Sequence, residues 1–410
     1  MGNTEFIISK FREYYRNTDV MLPPRFTRRE YGFMFFDKKY VLRHISFKSK
    51  TEMKNFLVSN VPKHAYYSTA YYEDPSNKDM EKKGWLGADL IFDLDADHLP
   101  ESEGMSYPEM LWAVKKEAEK LVKDFLMNDF GFEEKDITIA FSGGRGFHIY
   151  VRRGDVYTLK SDERREIVSY ITGEGADILK FMNVYTVKKK RGRGSEVVYH
   201  LYPPDTGGWY GKVSRGIREN IGYLHDLYHN YGKEALFHEI YSVLRHKKLA
   251  NTLVKDLLKE IGPNTKKIDY LYRSERSEKV QILEILSDSA RNNYLNYLKE
   301  KLRIRGEADE PVTTDIHRLI RLIGSLHGKT GFIVRQLSFK DFLDFNPLNP
   351  EHISKYLIPK TFKNGKSKII TEKKVELPFE IQSVEGEECV PDYVAIFLIA
   401  RNMGSFISRC

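Results

Sequence analysis

The sequence predicts an α+β fold: a mixed β-sheet backed by helices, with a helical subdomain inserted late in the chain. Three observations carry that expectation. Between Gly87 and Val151 an apolar strand, a striped helix and a second strand follow one another. Near the N-terminus two β-rich runs, 31–36 and 40–47, flank Asp37-Lys38-Lys39 and read as a hairpin. From Lys233 to Ile261, and again from about Val280 to Leu302, the pattern is helical and nearly free of Gly and Pro. The expected core is 1–205 with 303–410 and the expected insert is 206–302, entered through the linker Pro203-Pro204-Asp205-Thr206-Gly207-Gly208.

Taken in order, Ile7, Ile8, Phe11, Tyr14 and Tyr15 share one face of an opening helix, with Thr4 as its expected cap. After the hairpin, Gly87-Ala88-Asp89-Leu90-Ile91-Phe92-Asp93-Leu94-Asp95 reads as a strand. Ser106-Tyr107-Pro108-Glu109 has capping-box spacing, and Leu111, Val114, Ala118, Leu121 and Phe125 stripe the helix that follows. Asp136–Phe141 and Phe147–Val151 are strands on either side of Ser142-Gly143-Gly144-Arg145-Gly146. Strand, helix, strand in that order forms a βαβ-like unit, so the aspartate strand and the glycine turn can lie in one sheet. Residues 338–398 return to the core.

Strand side chains alternate faces, so Leu90, Phe92 and Leu94 enter a core while Asp93 and Asp95 point together the other way. Two carboxylates that close repel each other unless a cation lies between them. A hard divalent ion with oxygen ligands supplies one; a solvated acidic strand end is the plainer alternative. The three glycines around Arg145 make a turn whose N–H groups can approach a ligand, and Ser142, Arg145 and His148 together suit an anion such as a triphosphate. The alternative is a glycine hairpin with a surface arginine.

A third cluster runs from Thr314 to Gly331. Asp315 is either another metal ligand or the N-cap of a helix striped by Ile316, Leu319, Ile320 and Ile323, with Arg318 and Arg321 on other faces. If Ser325–Gly331 is extended, His327 and Lys329 point the same way and suit phosphate oxygens. Lys188-Lys189-Lys190-Arg191-Gly192-Arg193 follows a nucleic-acid backbone or is a solvated loop, and the pairs Tyr66-Tyr67 and Tyr71-Tyr72 stack on bases or, the reading favoured here, fill the core.

Composition narrows the class. A chain of 410 residues with 41% apolar content builds a sizeable core, and a net charge of +8 suits a polyanionic partner. Two cysteines, Cys389 and Cys410, argue against a disulfide framework and for a reducing compartment. No apolar run reaches membrane-spanning length and no signal-peptide pattern opens the chain, so a soluble cytoplasmic protein with no membrane partner is expected.

In this order, Asp93-Leu94-Asp95, Ser142-Gly-Gly-Arg145-Gly-Phe-His148 and Asp315…Ser325-Leu-His327-Gly-Lys329-Thr-Gly331 resemble the small catalytic subunit of the archaeal and eukaryotic DNA primases. Arg29-Glu30-Tyr-Gly-Phe33 with Val41-Leu-Arg43-His-Ile-Ser-Phe47, Pro62–Ala70 and Val390–Leu398 extend the likeness from about 29 to about 398, in a form closer to archaeal members. The resemblance implies a core sheet like that of the RNA-recognition fold and synthesis of short primers on single-stranded DNA from nucleoside triphosphates. It makes Asp93, Asp95 and Asp315 ligands of Mg²⁺ or Mn²⁺. It makes Ser142, Arg145, His148, His327 and Lys329 ligands of the triphosphate, with Glu30 and Arg43 lining the same pocket. It also implies a heterodimer with a large subunit that carries an iron–sulfur domain. Many relatives bear a Cys/His zinc knuckle after the aspartate strand; Leu99–Pro108 has neither residue, so no structural zinc is expected. A primase–polymerase of repair or end joining is the alternative enzyme. A non-catalytic nucleic-acid-binding subunit is the alternative of another class.

Overall fold

Helix α1 (Asn3–Asn17) opens the chain because Phe6, Ile7, Phe11, Tyr14 and Tyr15 recur at helical spacing and all are buried. Its N-cap is Gly2 and not Thr4, and Phe6 takes the buried place expected of Ile8. Hydrogen bonds from Tyr14 Oη to the Gly324 carbonyl (2.7 Å) and from the Leu326 N–H to Tyr15 Oη (3.2 Å) tie this helix to a distant turn. The computed structural model of the chain describes residues 1–99, 102, 104–175, 177–188, 195–200, 202–203, 205–261, 286–302 and 304–410. These form two units, one of 1–127, 131–170 and 307–410 and a second of 128–130 and 171–306.

In the first unit, β1 (Tyr31–Met34) and β2 (Val41–Ile45) form the expected antiparallel hairpin. After α2 (Lys50–Asn60), β3 (His64–Ser68) pairs with β1 to extend this sheet, and a strand from much later in the chain closes its far edge. β4 (Ala70–Tyr72) and β5 (Trp85–Ala88) form a small ribbon.

A second sheet carries the aspartates. Its strands are β6 (Leu90–Asp95), β7 (Ile137–Phe141) and β8 (Gly146–Val151), joined by α3 (Tyr107–Lys120) and its continuation to Met127. The capping box on α3 forms, with Ser106 N donating to Glu109 Oε2 (2.8 Å), and Leu111, Val114, Ala118, Leu121 and Phe125 are fully buried. β8 inserts between β6 and β7 and runs antiparallel to both. The βαβ-like unit is therefore split, and the aspartate strand lies directly against the strand that leaves the glycine turn.

The second unit contains the hairpin β9 (Asn183–Lys188) and β10 (Ser195–His200), then helices α4 (Gly208–Leu244), α5 (Lys247–Ile261) and α6 (Asp288–Lys301). Val213, Ile217 and Ile221 of α4, Leu253 and Leu257 of α5, and Tyr294 and Leu298 of α6 share one apolar cluster. Residues 171–205 belong to this unit, although the linker read at Pro203–Gly208 places them with the core in the sequence. Met182 is a member of the cluster and Phe181 packs against it. The span of α4 is broken at Gly232 (φ +83°), so a helix does begin at Lys233 as expected, and a further helix from Gly208 precedes it, in which Gly216 allows a close approach to Ile304; an added Cβ would stand 2.8 Å from Ile304 Cγ2. Residues 189–194 and 280–285, within the basic run and the expected second insert helix, lie outside the described residues.

The first unit resumes with a five-residue helix α7 (Glu310–Thr314) and β11 (Leu319–Arg321), the strand that closes the sheet of β1–β3. The helix expected over 316–323 is thus absent. Its apolar spacing is satisfied by β-pairing of Ile320 with Tyr67. β12 (Arg335–Leu337) joins β7, two short helices follow, and β13 (Lys366–Glu376), β14 (Ser383–Pro391) and β15 (Ser405–Arg409) form a last sheet around the apolar helix Asp392–Ala400. Here the sequence expectation for the cysteines is corrected. β14 and β15 both pair with β13, which brings Cys389 and Cys410 to a Cα separation of 6.4 Å, and they are disulfide-bonded. No described helix is long and apolar enough to cross a membrane.

Candidate active site

Alternation along β6 buries Leu90, Phe92 and Leu94, and β8 sets His148 directly opposite Asp93. His148 Nε2 lies 3.4 Å from Asp93 Oδ1. The imidazole is buried, and its pKa falls to about 3 through that burial and the positive charges of Arg321 and Arg318, so it is neutral. The Asp93 carboxyl is pushed up to about 7 by burial, then by Asp95 and Asp309, with Arg318 and Arg321 only partly opposing. Asp95 accepts the Asp97 N–H (3.1 Å) in the tight turn ending the strand.

Asp309, not singled out in the sequence, also acts on Asp93. Its N–H donates to the Asp93 carbonyl (3.2 Å), and it sits at the N-cap of α7. Asp315, the residue expected to join the pair, lies at the other end of that helix. It is exposed and accepts the His317 N–H (2.9 Å). It is also not an N-cap, since it follows the helix. The available signal was Asp309-Glu310-Pro311, a helix-start pattern with proline in the first turn. Among the described residues no three His, Cys, Asp or Glu side chains already stand in the geometry of a metal cluster, and no lysine or arginine forms an ion pair with Asp93 or Asp95. Carboxylates gathered without a neutralising cation match the donor chemistry of a hard divalent ion.

The glycine turn reaches this group from β7. Gly146 has no alternative, because a Cβ there would collide with the Leu94 carbonyl of β6. Gly143 has φ +83°, and a Cβ on it would stand 2.7 Å from His327 Cβ. Tyr107 Oη donates to the Gly144 carbonyl, so α3 fixes the turn, and Ser142 Oγ accepts the Gly144 N–H (3.3 Å). Arg145 extends outward and pairs with Asp97.

The turn bound by α1 brings His327 against the glycines. Residues 325–331 are not extended: Thr330 and Gly331 both donate backbone N–H groups to the His327 carbonyl, so His327 is buried while Lys329 is exposed. His64, also missed, packs its ring 4.8 Å from that of His327. Its Nδ1 is 2.8 Å from Arg321 Nη1 and 3.3 Å from the Gly328 nitrogen, which makes it an acceptor and holds Arg321 in place. Burial, Arg321 and nearby lysines keep His64 and His327 neutral.

Glu30 and Arg43 form a second group next to the 315–321 segment. Glu30 is fully buried and accepts from Arg43 Nε (2.9 Å), Lys83 Nζ (2.7 Å) and the His44 N–H (3.1 Å). Burial raises its pKa, but Arg43 and Lys83 outweigh that and hold it below the ordinary value. It therefore aims Arg43 and is closed to a ligand itself. Tyr67, Tyr71 and Tyr72 are buried core residues; Tyr66 lies under Arg321, 5.3 Å from guanidinium to ring centre.

The profile of the DNA primase small subunit matches residues 92–339, the span from the aspartate strand through His327 to β12. The chain belongs to the DNA primase small-subunit family. It is 37% identical to the DNA primase small subunit of Methanosarcina acetivorans, across 99% of this chain and 97% of that protein. It is similarly 38% identical to that of Methanococcoides burtonii and 37% to that of Picrophilus torridus, each across 98% of both chains. This primase-family core thus includes both the carboxylate strand and the distant His327 turn, which the fold draws to one place.

Proposed function

We propose that this chain is the catalytic subunit of a DNA primase and makes short primers de novo on single-stranded DNA from nucleoside triphosphates. The observation that carries the reading is Asp93, acted on by Asp95 and Asp309 and opposite a neutral His148, where Arg318 and Arg321 offset the collected negative charge only in part. Asp93, Asp95 and Asp309 would hold Mg²⁺ or Mn²⁺; Asp309 takes the place in this set that the sequence pattern assigns to Asp315. Such ions, when bound, supply Lewis acidity to the attacking 3′-hydroxyl and the α-phosphate.

The remaining chemistry belongs to the chain. Ser142 and the N–H groups of the glycine turn cradle phosphate oxygens, Arg145 gives a bidentate contact on leaving Asp97, and Lys329 supplies a point charge. His148 and His327, being neutral, donate hydrogen bonds without adding charge, and Arg43, held by Glu30, contributes a further cation. No protein nucleophile is required, since positioning and electrostatics carry this transfer. The proposed partners are a large primase subunit, which aids initiation, and the single-stranded template.

The test is incorporation of labelled nucleotides on unprimed single-stranded DNA in Mg²⁺ or Mn²⁺, with and without the co-purified large subunit. Primers made from unprimed template are expected, with the partner raising the yield. Extension confined to pre-primed template would favour the repair polymerase. Absence of both reactions, with nucleotide binding retained, would point to a non-catalytic subunit.

A further inference from the structure

A cavity of about 250 Å³ in the first unit is lined by the Met21–Pro24 segment, Tyr67 of β3, Thr138 of β7, Arg152 just after β8, Leu322 and Ile323, and Gln336 of β12. None of its lining residues belongs to the carboxylate group or the phosphate cradle. Its walls are apolar, Leu22 and Ile323 among them, and its polar groups converge: Arg152, Thr138, Tyr67 and Gln336. The volume exceeds the roughly 150 Å³ that suffices for a benzene ring and falls just short of drug-sized pockets.

Charge gives the cavity its sign. Arg152 shares the buried carboxylate of Asp89 with Arg29, at 3.0 and 2.8 Å respectively. Arg164 adds a third guanidinium on the carbonyls of Ala88 and Asp89. One carboxylate is thus shared by two guanidinium groups with a third close by, and of these Arg152 lines the cavity. A guanidinium has five N–H donors. Three are used by Asp89, Thr138 Oγ1 (3.2 Å) and Tyr67 Oη (3.2 Å), which leaves two for a guest.

We propose that this cavity is a binding site for a small organic anion, a carboxylate on a compact apolar body. The charged end meets Arg152 with the hydroxyl of Thr138 and the amide of Gln336. The body fills the space between Leu22 and Ile323. A guanidinium whose single carboxylate is shared with Arg29 gains from a further anion in a low-dielectric wall, because bulk water is not there to compete.

The test uses the full chain and three probes followed by ligand-observed NMR: benzoate, its cationic isostere benzamidine, and inorganic phosphate. Benzoate is expected to bind at least tenfold more tightly than benzamidine, and phosphate to displace it poorly for want of an apolar body. Ile323→Trp, which fills the cavity without altering charge, should weaken benzoate at least tenfold. Leu22→Trp does the same from the opposite wall should the first variant fail to fold. Arg152→Gln should abolish the preference for the anion. Equal binding of benzoate and benzamidine, equal displacement by phosphate, or benzoate binding indifferent to a folded tryptophan variant would each overturn the assignment.

Discussion

Asp89 and Asp93 stand four residues apart, the first between β5 and β6 and the second within β6, and burial acts on both. Their environments are opposite. Asp89 is met by Arg29, Arg152 and Tyr71, and although burial raises its pKa the two guanidinium groups bring it below the ordinary value. Asp93 is met by Asp95, Asp309 and an uncharged His148, and is pushed up to about 7. One carboxylate is finished by the fold. The other is left for something the chain does not supply, which is how a working site differs from a structural ion pair four residues away.

Substitution at the two positions sharpens that contrast. Asp93→Asn or Asp95→Asn should lower primer synthesis by more than about 10²-fold, the loss typical of outer-shell changes alone at a metal site, with the fold intact by circular dichroism. Near-normal synthesis by either folded variant would break the comparison. Asp309→Asn should cost activity on the same scale, whereas Asp315→Asn should change it only a few-fold; the reverse pattern would restore Asp315 to the metal set. Asp89→Asn should act on stability instead. It strands Arg29 in the interior, and breaking a buried pair costs about 3–5 kcal/mol, read as a lowered denaturation midpoint.

The smaller effect expected at the C-terminus comes from a feature the sequence alone misplaced. Cys389 and Cys410 close a loop spanning 21 residues, and in the chain-entropy account a loop of that size contributes about 3 kcal/mol. Melting with and without reductant, or of the Cys389→Ser variant, should therefore show a loss of about 2–3 kcal/mol or less, with primer synthesis retained below the transition. Loss of activity in the reduced but folded protein would contradict the separation of this sheet from the site.

The aspartate strand, the capped helix and the glycine turn are legible because each carries a local signal: strict alternation, a capping box, and glycines at a turn. The failures share a different cause. Ile316, Leu319, Ile320 and Ile323 have helical spacing, yet pairing with β3 decides the matter, and that partner is about 250 residues away in the chain. Asp309 goes unread because Asp315 borders the motif, while only the path of α7 past β6 shows that the start of the helix meets Asp93. The disulfide likewise depends on β15 returning beside β13. His64 has no pattern of its own; the ring of His327 gives it a role.

The last and smallest effect is a difference in slope. The folded-state pKa of Asp89 is depressed, so its contribution to stability is present above the ordinary carboxylate pKa and is lost as pH falls through the depressed value. Asp93 has the opposite sign. Its folded-state pKa of about 7 exceeds the unfolded one, so between about pH 4 and pH 7 the native state binds the extra proton, and stability at this position declines as pH rises through that window. An asparagine side chain at this position cannot ionise, which removes the decline. In chelator-treated protein, Asp93→Asn should therefore melt at or slightly above the parent at pH 8 and converge with it near pH 4. Adding Mn²⁺ should stabilise the parent at pH 8 but not the variant, since binding to the native state alone raises stability in proportion to occupancy. A variant less stable than the parent at pH 8 without metal would mean that the Asp93 charge is already balanced within the chain, and the contrast with Asp89 would fall.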